Sequence, residues 1–362
     1  MSRQFFLDLA ARGLRMPIGT HLVLHEQPDP AAVVLDGRHL GEVLIATADR
    51  FATPLAMPLM DLALEKAALL GACGVPEAEI EGYHFSARPA VPPAIPLTPR
   101  MQAACAAITH VRSRRDLLPM GMAIGPFSLV TKLVADPITP VYLAGSGVTA
   151  EDDPEVALVE AALAAAEQVI ATYVDAQIDA GAQAMIVCEP AANRVYFSPN
   201  QLAESYATFD RFVMDPMRRL AARLAARGVA LVFHDCGELT DGMVERFATL
   251  GAVMLSFGSS RKLWEDATRV PKDTVLYGNL PTKRFYGSTL SIGDVEQITL
   301  GLVGAMQSVG HPFILGSECD VLSVPGADAE IRAKVNAFMC CGRSDHAVMR
   351  APVCARAIPG AV

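Results

Sequence analysis

The sequence predicts an α/β protein: a (β/α)8 TIM barrel carrying an irregular N-terminal cap. Three observations lead there. From the middle of the chain onward, short apolar runs alternate with longer segments of helical periodicity, the pattern of repeated βα units around a parallel sheet. About eight such runs fit within the chain, which suits a closed barrel better than an open sheet. Residues suited to chemistry stand at the ends of several runs, where a barrel gathers its functional groups. Residues 1–50 read as a helical and hairpin cap, 51–341 as the barrel and 342–362 as a C-terminal tail.

The elements follow in order. Thr53 to Leu59 is a weak strand candidate, because Pro54 and Pro58 fit poorly inside a strand. Met120 to Ile124 is a better one. Asp153-Pro154-Glu155 presents an N-cap, a proline at the first helical position and a first-turn acid. Val156, Val159, Leu163, Ile170, Val174 and Ile178 then recur at helical spacing up to a stop at Gly181. Ala184–Cys188 is the next strand, ending at Glu189-Pro190. Ser198-Pro199-Asn200-Gln201 forms a capping box that opens a helix expected to run to about Arg227. Strands follow at Ala230–His234, Val253–Phe257, Thr274–Asn279 and Pro312–Ser317. Helices are expected from Thr240 to about Leu250, from Ser291 to about Val309, and from Asp328 onward.

Composition narrows the function classes. The chain has 362 residues, 52% of them hydrophobic and 19% charged, enough to build a large core. With 30 basic and 39 acidic residues it carries a net charge of −9, which argues against nucleic acid and anionic membranes as partners. The N-terminal stretch resembles a helix containing Asp8, Arg12 and Arg15 rather than a secretory segment, and a cytoplasmic location is expected. The eight cysteines then read as reduced thiols, with metal ligation as their special use. Cys340, Cys341 and Cys354 lie in or beside the tail and read as small buried hydrophobes, with an oxidisable or metal-loading tail as the alternative.

Val232-Phe233-His234-Asp235-Cys236-Gly237 and Ile314-Leu315-Gly316-Ser317-Glu318-Cys319-Asp320 carry the chemistry. On a strand, residues two apart share a face, so His234 and Cys236 point together while Asp235 points away. One imidazole and two thiolates are three of the four ligands zinc prefers, and a three-ligand site leaves a position for substrate. The 83 residues between Cys236 and Cys319 match no finger spacing, so barrel placement must bring them together. Glu189 is a candidate fourth ligand or substrate-orienting acid, with a capping or salt-bridged carboxylate as the alternative. Asn279 is a candidate substrate contact or a βα-turn residue, and Tyr277 a candidate pocket wall or core aromatic. Hydrolysis by a zinc-bound water would need a base, for which Glu189, Glu238 and Glu318 are available.

The stretch from about Gly125 to Met339 resembles the uroporphyrinogen decarboxylase-like superfamily, and within it the zinc-containing corrinoid-dependent methyltransferases. The matching pieces are Gly125-Pro126-Phe127-Ser128-Leu129, Glu189-Pro190 with Ser198-Pro199, His234-Asp235-Cys236-Gly237, Gly278-Asn279-Leu280 and Ile314 to Asp320. The resemblance implies a barrel fold, zinc on His234, Cys236 and Cys319, and methyl transfer between a corrinoid and a small-molecule donor or acceptor, be it a thiol, a folate, a methoxy compound or a methylamine. It implies that cobalamin comes on a separate corrinoid protein, since no Asp-x-His-x-x-Gly-type segment is present. The Arg-Gln-Ala-Gly-Arg-Tyr type segment with which the decarboxylases grip propionates is missing. Arg15-Met16-Pro17-Ile18-Gly19 and Arg50-Phe51-Ala52 stand in the N-terminal region instead. Decarboxylation and corrinoid-independent thiol methylation remain as alternatives, and oligomeric state is open, a homodimer included.

Overall fold

The computed structural model describes residues 2–343. Eight strands form one all-parallel sheet: β1 (Arg15–Ile18), β2 (Leu55–Ala56), β3 (Leu118–Ile124), β4 (Ala184–Cys188), β5 (Ala230–Asp235), β6 (Met254–Phe257), β7 (Val275–Leu280) and β8 (Phe313–Asp320). Their order is β1-β8-β7-β6-β5-β4-β3-β2, so each of β2 to β8 lies beside its sequence neighbour and β1 returns to β8. This is the sheet of a (β/α)8 barrel. Its interior is filled by inward-facing side chains, among them Met16, Met120, Met122, Ile186, Val232, Met254 and Tyr277. Among the described residues no backbone ladder joins β1 to β2. Side chains bridge that seam instead: the Thr20 hydroxyl donates to the Met57 carbonyl at 2.7 Å, and the Thr53 hydroxyl reaches Met16 Sδ at 3.4 Å.

The expected N-terminal cap is corrected in one respect. The segment 1–50 contains helices at Arg3–Ala11 and Gly37–Arg50, but Arg15–Ile18 is a barrel strand in parallel register with β8, and no hairpin occurs among the described residues. The strand escapes sequence reading because it is four residues long, buried throughout and interrupted by Pro17. Proline is tolerated there because β1 has a ladder partner on one side only. The same allowance explains β2, which shrinks to two residues between Pro54 and Pro58.

The helix Pro154–Ala180 starts and stops where its signals stand. Asp153 accepts from the N–H groups of Glu155 and Val156, and Gly181 takes φ 110°, where a Cβ would meet the Arg112 side chain. This helix is long and apolar enough to cross a membrane by length and composition alone, but Val156, Val159, Ile170 and Val174 are buried in the protein core. The single helix expected from Ser198 to Arg227 is broken. Pro199–Glu204 ends at Ser205, whose backbone is extended, and Asp210–Met214 forms a wider π-helical turn before Asp215–Ala226. Pro216 has no N–H to return to the carbonyl four residues earlier, which is reason enough for the turn to widen. Cys340 is the last residue of the helix Asp328–Cys340 and Cys341 follows it, beside the tail as the sequence placed them. Cys340 is disulfide-bonded, so the expectation of reduced thiols is corrected at that position. Cys354 and the tail beyond Arg343 lie outside the described residues.

Candidate metal centre

The C-terminal ends of β5 and β8 bring three donors together. His234 occupies β5, in register with Cys188 on β4 and Ser256 on β6. Cys236 follows directly after β5, and Cys319 is the next-to-last residue of β8. One ligand atom from each of His234, Cys236 and Cys319 lies within 4.8 Å of the others. Among the described residues no fourth His, Cys, Asp or Glu joins this cluster.

The imidazole is aimed by its neighbour. His234 is 1% exposed, and its Nδ1 shares a hydrogen bond of 2.8 Å with Ser256 Oγ, leaving Nε2 buried with no partner. A buried imidazole nitrogen with no hydrogen bond is costly, and a metal ion would satisfy it. The thiols complement it. Cys236 is drawn strongly toward the thiolate by a hydrogen bond from Cys319, with His234 and Lys283 adding to this against burial. Cys319 is pushed up by that same hydrogen bond and by burial, so the pair holds one proton between them. A soft, partly deprotonated N,S,S set matches zinc.

The surrounding loops hold these donors in place. Asp235 points away from them, as strand alternation requires. It is fully buried and accepts from the Gly237 N–H at 2.8 Å, and burial lifts its carboxyl well above the usual range. Asn279 on β7 donates both amide hydrogens to backbone carbonyls, of Gly258 and Arg261, each at 2.8 Å. That pins the loop after β6, where Gly258 passes so close to the Cys236 carbonyl that a Cβ would lie 2.7 Å from its oxygen. Tyr277 is 1% exposed and its hydroxyl donates to the Met16 carbonyl at 2.9 Å. For both residues these contacts correspond to the turn and core alternatives left open by the sequence.

Glu189 stands just past β4 and is fully buried. One of its oxygens accepts from the Ser128 N–H at the start of the helix Pro126–Leu133, and the other has no partner. Burial pushes its carboxyl up to about 7, against the N–H groups of Ser128 and Phe127. The fit depends on Gly125, where a Cβ would lie 1.8 Å from Glu189 Oε2. Glu189 is not one of the clustered donors. The other two candidate bases are engaged elsewhere: Glu238 is exposed beside Arg194, and both Glu318 oxygens accept from backbone N–H groups, those of Ser259 and Lys283.

Lys283 is a side chain beside the candidate centre that sequence reading missed. It follows β7 in the short turn Thr282–Arg284, and its ammonium hydrogen-bonds Cys236. The strand-end argument that picked out Asn279 would have found it four residues later. A cavity of about 1330 Å³ opens at the opposite, N-terminal end of the barrel, lined by Leu7, Arg15, Met306 and Phe313 among others, and none of the three donors touches it. In barrels that end reads as structural.

The family model for uroporphyrinogen decarboxylase (URO-D) matches residues 42–336. The chain belongs to the uroporphyrinogen decarboxylase family. Its match begins after β1 and runs through β8 to the last described helix, so it takes in all three donors as well as Glu189 and Lys283. Among solved structures, a methyltransferase from Methanosarcina mazei aligns with a TM-score of 0.63 at 16% identity, over 93% of this chain and 98% of that one. At that identity the likeness is one of fold. No curated protein matches the sequence.

Proposed function

We propose that this member of the uroporphyrinogen decarboxylase family is a zinc-dependent methyltransferase, moving a methyl group between a corrinoid held by a partner protein and a small molecule. The observation that carries the reading is the convergence of His234 Nε2, Cys236 Sγ and Cys319 Sγ at the barrel's C-terminal end, with no fourth protein donor among the described residues. The fold neighbour that is itself a methyltransferase supports it. Zinc on those three residues would keep a thiol acceptor deprotonated or draw charge from the leaving group of a methyl donor.

The chain's own groups supply the rest. Ser256 holds the His234 ring through Nδ1, which leaves Nε2 as its free donor atom. Glu189, poised near neutrality, can hold or release a proton at its free oxygen, which suits an acceptor that must lose one. The decarboxylase alternative needs cations to grip several carboxylates. The two N-terminal arginines are committed elsewhere: Arg15 is buried against the Phe338 and Cys341 carbonyls, and Arg50 pairs with Glu26. A reducing compartment such as the cytoplasm would preserve the free Cys236 and Cys319 thiols.

The first test is elemental analysis of purified wild type beside Cys319→Ala. About one zinc per chain, lost in the variant, is expected of a three-ligand site. Wild type prepared without chelators and free of zinc would remove the basis of the reading. The partner is tested separately by pull-down with corrinoid proteins, and failure to capture any would remove the corrinoid from the scheme.

A further inference from the structure

The N-terminal end of a barrel ordinarily serves stability, and the cleft there has a lining that such a role does not account for. It encloses about 1330 Å³, and Leu7, Leu14, Met306 and Phe313 give it apolar walls. Four cations line it as well, Arg12, Arg15, Lys272 and Arg343, against a single acid, Asp8. Among the described residues none of the four pairs with a carboxylate, and Asp8 accepts instead from the Gln4 amide at 2.8 Å. Arginines on the outer helices are matched to acids by contrast, Arg219 to Glu167 and Arg223 to Asp175.

The bonds that these cations do make go to the carbonyl ends of helices. Arg15, only 7% exposed, donates to the Phe338 and Cys341 carbonyls at the end of the helix Asp328–Cys340. Lys272 donates to the Val309 and Gly310 carbonyls that close the helix Ile292–Val309. Arg343 donates to the Gly13 carbonyl, just past the helix Arg3–Ala11. A helix C-terminus carries about half a negative charge. Three such ends together with Asp8 offset about two and a half of the four positive charges, which leaves about one and a half beside apolar walls. A charge out of water and without a counter-ion is costly, and a bound anion relieves that cost.

We propose that this cleft is a binding site for an organic anion with an apolar body, of the aryl or alkyl carboxylate class. The carboxylate completes the charge balance and accepts from the guanidinium and ammonium groups, while the hydrocarbon covers Leu14, Met306 and Phe313. Phe313 begins β8 and Cys319 lies near its other end, so the site is separate from the candidate metal centre and independent of the zinc reading.

The test titrates full-length protein with 2-naphthoate and with 2-naphthol, which offers the same rings without the charge, and follows binding by calorimetry. Wild type is compared with a double variant, Lys272→Met with Arg343→Met, and with Arg12→Met. None of these three side chains is buried, so the fold does not depend on them. Wild type is expected to bind about one naphthoate per chain, about tenfold more tightly than 2-naphthol, and added salt to weaken naphthoate alone. The double variant is expected to lose about tenfold toward naphthoate, Arg12→Met about threefold, and both to stay within about twofold toward 2-naphthol. Equal affinity of wild type for the two probes overturns the proposal, as does naphthoate affinity unchanged in both variants. Absence of naphthoate binding to wild type overturns it outright.

Discussion

At the scale of single residues, the centre shows how much depends on a hydrogen bond outside the ligand set. His234 carries the donor atom, but Ser256 decides which way it faces. Removing that hydroxyl leaves Nδ1 unpartnered and the ring free to turn. Ser256→Ala is therefore expected to keep its fold and lose roughly 10- to 100-fold in zinc affinity, measured by competition with a chromogenic chelator. Affinity equal to wild type would show that packing alone orients the ring. His234 and Cys236 were legible in the sequence because strand alternation puts them on one face. Cys319 was legible only as another strand-end residue. Lys283 was not, because a lone lysine after a strand has no spacing to mark it.

At the scale of elements, capping signals were the most reliable part of the sequence. Asp153, Ser198, Thr240 and Ser291 each accept from a backbone N–H in the first turn of the helix they begin. Ser291 does so reciprocally: its side chain accepts from the Asp294 N–H, and Asp294 accepts from the Ser291 N–H. Ser291→Ala should cost about 1 kcal/mol in urea unfolding, with metal content unchanged. A loss below about 0.3 kcal/mol would mean that tertiary packing, not the cap, sets where Ile292–Val309 begins. Signals of this kind are local, so they survive without knowledge of the fold. The strand β1 and the break at Ser205 carried no comparable signal. One is too short for periodicity to show, and the other falls at a single extended residue, Ser205, inside a run that reads as continuous helix.

At the scale of the whole molecule, the barrel buries acids that would rather be in water. Glu65 and Glu189 are both fully buried, and each has one oxygen on a backbone N–H and one without a partner. Burial raises Glu65 to about 8 and Glu189 to about 7, from 4.5. The folded protein thus keeps protons that the unfolded chain gives up above about pH 4.5. Stability should fall as pH rises from there through 7 to 8, then level off, by roughly 3 kcal/mol for Glu189. Urea unfolding at pH 5 and pH 8 should show this drop in wild type and a smaller one in Glu189→Gln and Glu65→Gln. The same drop in all three would place the buried protons on other groups.

The sequence by itself determined the layered α/β architecture, the parallel sheet and the residue types of the candidate metal centre, because periodicity and alternation are properties of the chain read a few residues at a time. Only the tertiary structure decided that Cys319 meets His234 and Cys236 and that Lys283 reaches Cys236. It also decided that the sheet begins at Arg15, before the barrel expected from the sequence. Those outcomes depend on strand register and on which loops share one end of the barrel. Both are set by contacts between residues tens to hundreds of positions apart, which no local pattern encodes.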